Sequence, residues 1–140
     1  MRTTLELPIA ADRLRAVLTD FEAFPVFVPW VQQVEVLRAL AGPCPGWEVR
    51  VQLCVVRPWC LTLLVQQPDP NELRWSLIEG PFASVEGRLR LEPAAPSPNS
   101  RLELDLEVQA GLYVPLPLMR SVESVELNDL LRRVGERAEE

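Results

Sequence analysis

Residues 85–108 read VEGRLRLEPAAPSPNSRLELDLEV. Over 85–91, Val85, Gly87, Leu89 and Leu91 alternate with Glu86, Arg88 and Arg90. Over 102–108, Leu102, Leu104, Leu106 and Val108 alternate with Glu103, Asp105 and Glu107. A period of two belongs to a strand, whose successive side chains point to opposite faces. Apolar on one side and charged on the other means a sheet with one dry and one wet face. The connection PAAPSPNS (93–100) is rich in turn formers and too short for the crossover that a parallel pair needs. The two strands therefore form an antiparallel pair. Their register is well specified, because a slip of one residue would turn every leucine to water.

The same pattern extends toward the N-terminus. Residues 73–77 set Leu73, Trp75 and Leu77 against Arg74 and Ser76. Trp59, Leu61, Leu63 and Val65 share a face over 59–65, and Trp47, Val49, Val51, Leu53 and Val55 do so over 47–55. The alternation sets in near residue 30, and the loops AGPCPG (41–46) and QQPDPNE (66–72) are again short. Before it, residues 3–8 read as a strand. A helix follows with Asp12 as its expected N-cap and Leu14, Val17, Leu18 and Phe21 as its apolar stripe. FPVFVP (24–29) then permits at most a short second helix, because Pro25 and Pro29 interrupt it. The chain closes with a helix of about 22 residues from near Leu116, roughly 33 Å long. Its apolar positions fall in two groups, Leu118 to Val125 and Leu127 to Val134, rotated relative to each other, so that the helix bends or its halves touch different things.

A dry face of six or seven strands is too large for a short helix to cover. The simplest closed arrangement is an α+β domain over residues 1–140, its antiparallel sheet curled around the long terminal helix.

Composition narrows the function. The net charge of −6 and pI near 4.8 speak against a broad nucleic-acid surface, leaving only a local patch at Arg132, Arg133 and Arg137. The chain has no His and no Lys. Its three cysteines, Cys44, Cys54 and Cys60, match no zinc spacing, so no metal site is expected. Three buried or half-buried free thiols in a reducing cytoplasm are the preferred reading, with a Cys54–Cys60 disulfide or a soft-metal site as the alternative, the latter disfavoured by the absence of histidine. No signal peptide or spanning segment is read, and the expectation is a soluble cytoplasmic protein. No Gly-rich phosphate loop is present, so no nucleotide cofactor is expected. Ser84, Ser100, Ser121 and Ser124 have no histidine base to activate them.

Two segments carry a family resemblance. In 20–36, DFEAFPVFVPWVQQVEV, the residues Asp20, Phe24, Pro25, Phe27, Pro29 and Trp30 supply a D-x-x-x-[YF]-P-x-[FY]-x-P-[WY] signature. In 77–93, LIEGPFASVEGRLRLEP, Gly80, Pro81, Phe82 and Gly87 match a strand–GPF–turn–G-x-W segment, with Leu89 where tryptophan is usual. The chain resembles the START-like (helix-grip, SRPBCC) superfamily, in particular its polyketide cyclase/dehydrase branch with the coenzyme Q-binding and ribosome-association-toxin proteins. The order of elements agrees along the whole chain. The resemblance implies a helix-grip fold and a cavity between sheet and terminal helix for a lipid, polyprenyl quinone or polyketide-like molecule.

That cavity would be lined from the dry strand faces by Val51, Leu53, Leu63, Trp75, Leu77, Val85, Leu89, Leu104, Leu106 and Val108. Phe27 and Trp30 would form its rim, with Tyr113 at the mouth and Met119 and Val122 on the terminal helix. For any one of these residues, ordinary core packing is the competing reading. The preferred function is binding or carriage of an apolar molecule without catalysis. A cyclase or aromatase acting by confinement is the second reading. It requires an inward polar group, for which Tyr113, Thr62 and Arg74 are the candidates. The third is a toxin-like contact with the ribosome or another macromolecule. The apolar connection AGLYVPLPLM (110–119) would be costly if fully exposed. It is a lid, a transient membrane or protein contact, or a seal on the core.

Overall fold

The computed structural model describes residues 1–55, 57–94, 99–109, 111 and 127–139. Seven strands form one curved antiparallel sheet: β1 (Arg2–Leu7), β2 (Val31–Leu40), β3 (Gly46–Val55), β4 (Arg57–Asp69), β5 (Glu72–Glu79), β6 (Ser84–Pro93) and β7 (Ser100–Gln109). In space they run β1-β7-β6-β5-β4-β3-β2. The chain thus meanders from β2 to β7, and β1 pairs with β7 at the far edge. Between β1 and β2 lie helix α1 (Ala11–Thr19), a 3₁₀ turn (Phe21–Ala23) and the four-residue helix α2 (Phe24–Phe27). Helix α3 (Leu127–Glu139) packs against α1 and β1. This is the helix-grip arrangement. The start of the terminal helix and its expected bend fall outside the described residues.

The alternation sorts the two faces as read. Leu89 and Leu91 of β6 are buried opposite Leu104 and Leu102 of β7, while Arg88 faces Asp105 and Arg90 faces Glu103 on the outer surface. Leu14 of α1, Leu102 of β7 and Leu131 of α3 are fully buried and join sheet and helices. Each such side chain contributes about 1.5–3 kcal/mol relative to exposure. In α3, Leu127, Leu131, Val134 and Ala138 form the buried stripe. A Cβ at Gly135 would stand 2.9 Å and 3.0 Å from the Leu7 methyl groups, so its absence lets α3 approach β1.

Three expectations change. Asp12 is not the N-cap of α1: Ala10 holds that position without a side-chain bond, and Asp12 lies in the first turn, 2.9 Å from Arg15 Nη1. The buried Ser100 hydroxyl donates to the Ile9 carbonyl at 2.7 Å and pins the chain just before the helix. The amides of Arg13 and Leu14 then both donate to the Ala10 carbonyl, so the helix begins there. The loop at 66–72 is largely strand, and β4 and β5 are joined through Pro70 and Asn71 alone. Pro68 falls where the β4–β5 register shifts, a position that tolerates a residue without an amide proton. Finally, the three cysteines are free as preferred, but Cys54 and Cys60 are exposed and not buried, because they fall on the wet parity of β3 and β4. Cys54 pairs with Pro58 and Cys60 with Gln52, which makes the two thiols diagonal neighbours. Cα atoms of such diagonal neighbours typically stand about 7–8 Å apart, beyond the about 4.4–6.8 Å that a disulfide usually spans.

Candidate functional site

The concave face encloses a cavity of about 190 Å³. Its described wall is assembled from every layer of the fold. Helix α1 contributes Leu18, and Phe21 and Phe24 follow from the turn and α2. The sheet contributes Val31 and Val34 of β2, Val49 and Val51 of β3, and Leu63 and Val65 of β4. Leu73 and Trp75 of β5, Leu89 of β6 and Leu104 of β7 complete that side. Helix α3 closes over it with Leu130, Leu131 and Val134. Phe21 is held in place by an edge-on contact with Trp47 of β3, ring centroids 5.2 Å apart at 70°. Apart from the indole N–H of Trp75, every described lining side chain is hydrocarbon. Space of this kind stays dry when empty, and an apolar cavity of about 150 Å³ already admits a benzene ring.

The structure divides the predicted residues. Val51, Leu63, Trp75, Leu89 and Leu104 converge on the cavity. Val85 belongs instead to a second apolar cluster with Trp59, Leu61 and Phe82, against which Leu53, Leu77, Leu106 and Val108 pack. Phe27 is half-buried on α2, its ring 5.2 Å from that of Phe24. It borders a surface groove with Pro25, Val26 and Pro29 on one side and Arg133, Glu136 and Arg137 on the other. Trp30 is half-buried at the entry to β2, where its carbonyl accepts a bond from the Cys54 amide at 2.8 Å. Tyr113, Met119 and Val122 lie outside the described residues. So does most of 110–119, although Gly111 rests its backbone against the Pro81 carbonyl.

Several lining residues are absent from the prediction. Leu18 and Phe21 lie on the α1 stripe, and Val49, Val65 and Leu73 share dry faces with residues that were predicted. Their signal was present in the sequence but reads equally as core. Leu130, Leu131 and Val134 form one turn-and-a-half of the terminal stripe.

Of the three candidate polar groups, Tyr113 lies outside the described residues and the other two, Arg74 and Thr62, do not point inward. Arg74 is exposed and pairs with Glu72 at 3.3 Å. Thr62 stands opposite Arg50 of β3, on the face that alternates with Leu61 and Leu63. Shifted acids are found elsewhere: Glu103, held below its usual range by a bond from Arg2, and Asp129, held below it by bonds from Arg133 and Arg132. Both pairs serve the scaffold. Among the described residues, no group of three metal-ligating side chains converges, and no helix is long and apolar enough to cross a membrane.

The sequence over residues 7–134 matches the model of the family described as polyketide cyclase / dehydrase and lipid transport. The chain belongs to this family. Within the START-like fold, the polyketide cyclase/dehydrase architecture superposes on solved structures over nearly the whole chain. A START superfamily protein from Mycobacterium smegmatis matches with a TM-score of 0.83 at 24% identity, covering 99% of this chain and 96% of the other. The Zhui aromatase/cyclase from Streptomyces sp. R1128 gives 0.81 at 22% identity, with 99% and 92% covered. A STAR-related lipid transfer protein from Xanthomonas axonopodis gives 0.76 at 18%, with 99% and 85% covered. No curated protein matches the sequence. At these identities the structures establish the shared fold, and the family model establishes membership.

Proposed function

We propose that this protein binds and carries an apolar small molecule, a lipid, polyprenyl quinone or similar chain, whose hydrocarbon part occupies the cavity between the sheet and α3. The observation that carries this reading is the chemistry of the wall, hydrocarbon on all described sides save one indole N–H. Such a wall attracts apolar surface at about 25 cal/mol per Å² and offers little to fix a polar group. Burying an unpaired carbonyl or hydroxyl against it costs about 2–7 kcal/mol. A polyketide, with oxygens along its chain, is therefore a poorer occupant than an acyl or prenyl chain. The same wall argues against the cyclase reading, which needs a group that can move a proton. The exposed thiols of Cys54 and Cys60 suit a reducing compartment, in keeping with a cytoplasmic carrier.

The test is native mass spectrometry of freshly expressed protein, with organic extraction of whatever travels with it. A stoichiometric apolar cargo is expected. Val51→Trp, which fills the cavity from β3, is expected to lose the cargo while circular dichroism still reports a folded protein. A folded Val51→Trp variant with undiminished cargo would place the ligand elsewhere. An empty wild-type protein that also ignores a panel of apolar probes would overturn the carrier reading.

A further inference from the structure

The dry face of the sheet holds two apolar clusters, and the boundary between them crosses each strand at a corresponding place. On β3, Val51 lines the cavity and Leu53, two residues on, packs into the second cluster. On β5 Trp75 lines the cavity and Leu77 does not, and on β7 Leu104 lines it while Leu106 packs against both clusters. On β6 the division falls between Leu89 and Val85, and the residue at the boundary is Gly87, which has no side chain to offer. Trp75 fills that gap. It pairs directly with Gly87 across β5 and β6, and a Cβ built at position 87 would fall inside the indole ring. Trp75 touches both clusters, as do Leu63 and Leu106, but its ring also takes the place of the side chain missing from β6 and so partitions two strands.

We propose that Trp75 is the end wall of the cavity and sets the length of hydrocarbon chain that it accepts. This assignment rests on the carrier reading and adds a specificity determinant to it. A chain entering the cavity gains affinity with each methylene that leaves water, about fourfold per carbon. The gain stops when the tip meets the indole. Truncating Trp75 adds the volume of that ring to the cavity, against Leu77, Val85 and Leu106, and moves the stop to longer chains. A tryptophan that merely stabilised the sheet would behave differently: its loss would weaken all chain lengths by a common factor and leave the stop where it was.

The experiment is calorimetric titration of the full chain with straight-chain alcohols from pentanol to dodecanol, for wild type, Trp75→Ala and Trp75→Phe. In the wild type, Kd should fall about fourfold per added carbon and then level off. In Trp75→Ala the fall should continue past that length at the same rate, with Trp75→Phe levelling between the two. The same levelling length in all three proteins, or a wild-type series that never levels, overturns the assignment and leaves the carrier reading standing. If wild type binds no alcohol, both fall together. Should Trp75→Ala not fold, Trp75→Phe decides alone: levelling at the wild-type length overturns the proposal.

Discussion

Gly87 and Trp75 show how a single missing side chain shapes the interior. The indole of Trp75 lies where a side chain at 87 would begin, so Gly87→Ala forces the ring to move while the backbone of β6 is left free. Overpacking of this kind costs about 1–3 kcal/mol. We expect a urea-unfolding midpoint lowered accordingly in Gly87→Ala, and almost no further loss when the same change is made on Trp75→Ala. Residues in contact are non-additive in this way, and additive losses would mean that the ring is not what position 87 must avoid. The glycine was legible in the sequence as the one position without a side chain on a dry face, which is the mark of a close approach. What approached it was not legible. Alternation says which face a residue takes but not how far along that face a neighbouring strand carries its own side chains. Leu77 and Trp75 have the same signature, yet one lines the cavity and the other does not, because register and the coil of the sheet decide it. Ser100 makes the same point: read only as a hydroxyl without a base, it proves to be the buried donor that fixes Ile9.

The strands with unbroken alternation were the ones whose place and facing could be read from sequence, although the end of β4 ran on to Asp69. β2 was the exception, and its pairing with β3 explains why: register shifts between Val31 and Gln33 and between Val36 and Arg38 break its period. Its burial is correspondingly irregular, with Val31 buried and both Gln32 and Gln33 exposed. The apolar stripe of α3 was equally plain, but its polar side carries information that hydrophobic spacing cannot. Asp129, in the first turn, accepts bonds from Arg133, at 2.7 Å, and from Arg132. The basic patch read at 132–137 is thereby partly neutralised within its own helix. These bonds, Arg133 first, hold the Asp129 carboxyl below its ordinary value of 3.8. A carboxylate with a depressed folded-state pKa stabilises the fold above its unfolded pKa, and that stability is lost as pH falls through the folded value. The loss therefore belongs to pH below about 4. We expect Asp129→Asn to be less stable than wild type at neutral pH and the difference to shrink as pH falls below about 4, followed by urea unfolding at each pH. A difference that persists unchanged at low pH would mean that the charge of Asp129 is not what α3 uses.

At the scale of the whole molecule, charge and apolar surface are separated by the sheet itself. The outer face carries crossed ion pairs, Arg2 with Glu103 and Asp105 and Arg88 with Asp105 and Glu72, while the inner face and the helices enclose hydrocarbon. That separation makes ionic strength a clean probe of what the protein recognises. Transfer of an alkyl chain into the cavity releases no counterions, and salt screens only charges that lie outside it. A contact with ribosomal RNA would behave in the opposite way, because neutralising several phosphates makes affinity fall steeply with salt, by about 10³-fold or more between about 50 and 200 mM for six or more contacts. The net charge of −6 already disfavours such a partner at low salt. We expect the Kd for decanol to stay within about twofold across that range, with any drift toward tighter binding as salt raises the cost of exposing hydrocarbon. Decanol affinity that collapses with salt would mean that the measured site is on the charged outer face. Salt-independent binding that Val51→Trp removes would locate it between the sheet and α3, because that substitution changes the inner wall and leaves every outer charge in place.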